Sequence, residues 1–147
     1  MIETIKKLFQ RDLKRLKVEI LQYQNEQNLW RVEASIANSA GNLCLHLIGN
    51  LNTFIGAQFG NTGYVRQREL EFSAKDIPVQ TLITNIEETI LIVENALSFV
   101  THEDLQKEYP RKVFDEMVST EHFLIHLAMH LAYHLGQINY HRRLLDK

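Results

Sequence analysis

Apolar residues recur at steps of three and four along four stretches of the chain. In the first, Ile2, Ile5, Phe9, Leu13, Leu16, Ile20 and Tyr23 share one face, and Lys, Arg, Glu and Gln fill the others. That spacing predicts an amphipathic helix from about Ile2 to about Asn28, with the core on one side. The polar run Gln24-Asn25-Glu26-Gln27-Asn28 marks its frayed end, and Trp30 beyond it is placed to plug the end of a bundle. A second helix is expected over about Ala37–Gln58, stopped by the turn residues of Phe59-Gly60-Asn61-Thr62-Gly63. Tyr64 to Lys75 reads as a charged connection. Asp76 and Pro78 then start a third helix, which carries Val79, Leu82, Ile83, Ile86, Ile90, Val93, Leu97 and Val100 at helical spacing. A longer connection from Thr101 to Met117 contains Pro110. Ser119 or Thr120 caps a fourth helix that runs to about Leu145.

Four such segments predict an all-α chain, a four-helix bundle forming one domain over residues 1–147. The connections flanking the third helix, each about 17 residues long, exceed an ordinary bundle loop and leave room for crossovers or a lid. Six glycines and two prolines among 147 residues, with 45% hydrophobic residues, fit long helices and exclude collagen-like, linker-like and disordered chains. A net charge of −2 supplies no concentrated basic face, so a nucleic-acid partner is not expected. The lone Cys44 excludes an intramolecular disulfide and suits a reducing compartment. The N-terminal run is charged throughout, and the apolar stretch Phe123–Leu135 is too short to span a bilayer and contains three histidines. The expectation is a soluble, cytoplasmic protein with no membrane partner.

Seven histidines change the picture. His122, His126, His130 and His134 recur every four residues on the last helix, and His141 follows. Neighbours four apart share a face and rise about 6 Å, which lets one adjacent pair converge on one ion. A wheel with Glu121, Asn139, Arg143 and Asp146 on the solvent side aims His130 and His134 at the bundle axis. That pair is the best candidate for metal ligation, with His126 in reserve. The competing reading is a pair of core histidines bonded to backbone or water. Leu131 stands where the helical metalloprotease motif has its Glu, so that chemistry is excluded. On the second helix, Ser39, Asn42, His46, Asn50 and Thr53 form a polar stripe beside Leu43, Leu47, Leu51 and Phe54. The stripe reads either as a pocket wall or as a solvated face. Its one histidine, His46, is the candidate third ligand. Three imidazoles leave a coordination position open, as a catalytic ion requires. Asn50 and Gln137 are candidates for supporting or pocket positions.

The segments LCLHLIGNL and HLAYHLGQINYHRR resemble the DinB-like superfamily of metal-binding four-helix bundles. YVRQRELEFS is similar to the Arg-x-Arg-(Asp/Glu)-x-Glu-Phe run of one uncharacterised branch. The resemblance covers nearly the whole chain, and His-x-x-x-His-x-Gly-Gln is its most specific part. It implies a metal triad of His46, His130 and His134, a bound nickel or zinc ion, crossover connections and a homodimer. Characterised members include thiol-dependent transferases, among them bacillithiol transferases, and a maleylpyruvate isomerase that uses mycothiol. The function it implies is a metal-dependent enzyme, with S-transfer from a low-molecular-weight thiol to a small electrophile as the leading reaction. Arg66 and Arg68 would then hold the carboxylates of an anionic thiol, or else form a surface charge set with Glu69 and Glu71. The alternatives are a metal-dependent hydrolase and a non-catalytic, metal-binding or stress-response dimer. Cys44 reads as a small buried residue rather than a nucleophile.

Overall fold

The computed structural model describes residues 1–147 and is all-α, as the periodicity predicts. The long elements are α1 (Ile2–Leu21), α2 (Ala40–Leu51), α4 (Val79–Ser98) and α6 (Thr120–Leu145). Two short helices, α3 (Arg68–Ser73) and α5 (His102–Gln106), lie in the connections, and a 3-10 turn spans Glu26–Trp30. None of the helices is long and apolar enough to cross a membrane.

The predicted apolar faces become the core. Phe9, Leu13, Leu16 and Ile20 of α1 are fully enclosed, and Leu82, Ile86, Val93 and Leu97 of α4 meet them. α1 packs chiefly between α4 and α6, while α2 lies across from it against α4 and α6. The chain therefore joins α1 to α2, and α4 to α6, across the core rather than between neighbours. The first of these crossings, residues 22–39, precedes the second helix, whereas the sequence placed the long connections only around the third. The second crossing is pinned by an isolated antiparallel bridge, Glu108 to Ser119. Buried Tyr109 anchors it further by donating its hydroxyl to the Phe54 carbonyl at 2.8 Å.

Boundaries differ where capping overrides periodicity. α1 ends at Leu21, before the polar run, because Asp146 collects the free N–H groups of Gln24 and Asn25 and the Asn28 amide. α2 starts at Ala40 rather than Ala37, because the Ser39 hydroxyl caps it by accepting from Asn42 N. It continues as a π-helical turn, Asn52–Ala57, and ends in Gln58–Gly60. The wider turn disturbs the backbone ladder, and side chains compensate: Asn52 donates to Ile48 O, and Thr53 to Gly49 O.

The last helix departs most from its predicted wheel. Asn139 and Asp146, assigned to solvent, are ties: Asn139 donates to Glu19 at 2.7 Å, and Asp146 holds the 22–28 turn. The exposed side instead carries Ile125, Met129, Tyr133 and Tyr140. Apolar residues surround this helix, so polarity alone does not orient it.

Candidate metal centre

His46 comes from the middle of α2, and His130 and His134 from successive turns of α6 across the seam between the two helices. His46 is buried; the other two are half-buried, at the seam rather than on the bundle axis. Their ring nitrogens converge. His130 Nε2 lies 3.2 Å from His46 Nε2 and 3.1 Å from His134 Nε2. One ligand atom from each ring falls within 4.8 Å of the others.

The outer ring nitrogens fix the tautomers. His46 Nδ1 is 3.0 Å from Glu71 Oε1. A carboxylate only accepts, so Nδ1 carries the proton and the Nε2 lone pair faces inward. His134 Nδ1–H donates to Gln137 Oε1 at 2.6 Å, with the same result. His130 Nδ1 is buried with no partner. Ring nitrogens that turn lone pairs toward one point repel one another unless a proton or a cation lies between them. Nitrogens bound about 2.0–2.1 Å from a tetrahedral ion sit about 3.3 Å apart, close to the spacings seen here. The residues present therefore fit a divalent ion.

Electrostatics agree. Burial, followed by the nearby His134 and His46, pushes His130 down to about 4. Burial also lowers His46, against the opposing pull of its Glu71 hydrogen bond. These two imidazoles are neutral at pH 7, the form that ligates a metal.

Glu71 is the residue that sequence reasoning left in a surface charge set. It is buried and triply held: Arg66 Nε donates to Oε2 at 2.9 Å, Arg66 Nη2 to Oε1 at 2.8 Å, and His46 Nδ1 to Oε1. Its seat exists because position 49 is Gly. A Cβ there would lie 2.0 Å from Glu71 Oε2. A glycine one turn after the candidate ligand His46 was the available signal.

The polar stripe of α2 is not a solvated face; every member is buried. Asn42 ties down the end of α3 by donating to Glu71 O and Ala74 O at 2.9 and 2.8 Å. Asn50 is buried with its Oδ1 unpartnered, one turn from His46. Arg66 is committed to Glu71. Arg68 is exposed and lies over the Phe72 ring at 5.1 Å, so the two arginines do not act together. His126 lies next to the triad, its ring stacked near that of His130 with centroids 6.3 Å apart. Cys44 is fully enclosed, and burial pushes its thiol up to about 12, which removes it as a nucleophile at neutral pH.

A cavity of about 490 Å³ opens beside the triad, with His134 and Gln137 in its wall. Among curated proteins, no match to the chain was found. A family model covering residues 1–147 does match, that of DUF1572, described as a protein of unknown function and DinB-like in fold. With fold, histidine cluster and full-length match in agreement, the chain belongs to the DUF1572 family.

Proposed function

We propose that this protein binds one divalent metal ion through His46, His130 and His134 and uses it as an enzyme on a small molecule. The observation that carries the reading is the convergence of three Nε2 atoms with the outer Nδ1 of His46 and His134 held by Glu71 and Gln137. Imidazole ligands suit zinc and nickel, the two ions proposed. Such an ion supplies Lewis acidity, lowering the pKa of a thiol or water that joins it.

The chain's own groups have definable roles. Glu71 holds the proton on His46 Nδ1 and raises that ring's basicity, while Arg66 neutralises the buried carboxylate. Gln137 does the same for the orientation of His134. The proposed reaction is S-transfer from a low-molecular-weight thiol. The thiol loses its proton to solvent, its sulfur forms a bond to an electrophilic carbon, and the bond from that carbon to the leaving group breaks, the leaving group taking the electron pair. Hydrolysis is the weaker reading, because Glu71, the buried carboxylate of the site, is bound to Arg66 and His46 and is not free to act as a base. A homodimer is proposed on the exposed apolar side of α6, where Met129 is 67% exposed and Ile125 41%.

Competition with a chromophoric chelator tests the ion, with zinc and nickel expected to bind and His134→Ala to release them. Loaded protein with a panel of thiols and a chromogenic electrophile tests the transfer. Tight metal binding without turnover or a thiol-dependent thermal shift would leave the site standing and remove the transferase.

A further inference from the structure

The cavity beside the triad has a chemical character that the metal site does not dictate. Its apolar and aromatic walls are Ile36, Leu43, Tyr133, Tyr140 and Leu144, Ser35 and Asn38 add neutral polar groups, and no Lys, Arg, Asp or Glu lines it. At about 490 Å³ it falls within the range of small-molecule sites. The arginines in its vicinity have partners within the protein. Arg31 donates to Leu145 O and pairs with Glu33, Arg66 is held by Glu71, and Arg143 lies 5.4 Å above the Tyr140 ring. One end is polar. Gln137 accepts from His134 through Oε1, and its amide NH2 makes no hydrogen bond within the protein. His141, also in the wall, offers nothing further, because Tyr23 and Arg31 O occupy both its nitrogens.

We infer that this cavity binds an uncharged, aromatic or strongly apolar small molecule that presents a hydrogen-bond acceptor to the Gln137 amide, next to His134. A charged body entering here would meet no countercharge in the lining, while an aromatic ring gains contact with Tyr133, Tyr140 and Leu43. The inference deepens the enzyme reading and rests on it for the site's purpose. It narrows the substrate or thiol to one without carboxylates away from the triad.

Binding is measured on metal-free protein at pH 8, so the result does not depend on the ion. The probes are 4-fluorobenzamide and 4-fluorobenzoate, which share a shape and differ by one charge, followed by fluorine NMR line broadening. The amide is expected to bind roughly tenfold or more tightly than the benzoate. Ile36→Trp, which fills the cavity from its half-buried loop, should abolish amide binding. Tyr133→Lys, at a position 65% exposed, should narrow the preference between the probes. Equal or tighter benzoate binding overturns the inference. So does absence of binding by either probe, or amide binding that both variants leave unchanged. Metal content and turnover of the loaded protein, assayed separately, report on the enzyme reading alone.

Discussion

Two histidine environments on α6 differ in one respect. At its C-terminal end His141 is buried, with Nδ1 accepting from Tyr23 Oη at 2.8 Å and Nε2–H donating to Arg31 O at 2.9 Å. Both nitrogens are satisfied by the protein. Two turns earlier, His130 and His134 bring their Nε2 atoms together with that of His46, the His130 nitrogen lying 3.2 Å from His46 and 3.1 Å from His134. The first is what a structural core histidine looks like, and burial lowers its pKa without giving it a task. The second leaves His130 Nδ1 without a partner and points three ring nitrogens at one place, which fits a cation. Burial and helical spacing are common to both; the identity of the partner at each ring nitrogen separates a brace from a site.

The sharpest way to break that contrast is to delete one ring from each environment. His134→Ala should lower affinity for zinc or nickel by more than about 100-fold, beyond the effect of removing a supporting group. The metal-free fold should lose less than about 1 kcal/mol. His141→Ala should retain the ion and cost about 2–4 kcal/mol by urea denaturation, since Tyr23 and the Arg31 carbonyl lose their partner and a gap remains.

Next comes the support of the triad. Gly49→Ala would improve helix propensity, yet its Cβ would collide with Glu71, so a net loss of about 1–3 kcal/mol is expected together with weaker metal binding. Glu71→Gln keeps an acceptor for His46 but removes the charge facing Arg66. Metal affinity should fall about tenfold, at the low end for such outer groups.

Acid distinguishes the two environments less strongly. His130 has its pKa lowered from 6.5 to about 4, so the unfolded chain takes up the proton first as pH falls. Stability of the metal-free protein should be full above about 6.5 and decline towards about 4. Urea midpoints at stepped pH values check this, and the His130→Ala variant should show a shallower decline. The smallest effect is expected at Gly136, where an added Cβ meets nothing within 4 Å. Gly136→Ala should stabilise the protein by up to about 1 kcal/mol, read as a rise in melting temperature.

Much of this was legible in the chain. The apolar rows of α1 and α4 are the core, and the four-residue histidine ladder marked the helix that carries two of the converging rings. Glu71 was not legible. It sits in an alternating charge run that resembles any solvated connection, and its burial depends on a missing side chain at Gly49, a residue 22 positions earlier in the chain. The orientation of α6 was misread for a related reason. Asn139 and Asp146 look like surface residues, but each is placed to satisfy a distant end of α1. Polar residues used as ties invert a wheel that treats polarity as exposure. The π-helical turn in α2 had no sequence signal beyond the Asn and Thr side chains that accommodate it.

The central claim is that three imidazoles, and no others, hold the ion. Elemental analysis of protein produced without a histidine tag, with single alanine variants alongside, tests it most directly. The account predicts about one divalent ion per chain in the native protein and in His141→Ala, and essentially none in His46→Ala, His130→Ala or His134→Ala. Retention of the ion by the His134→Ala protein, or equal loss in His141→Ala with its fold intact, would contradict it.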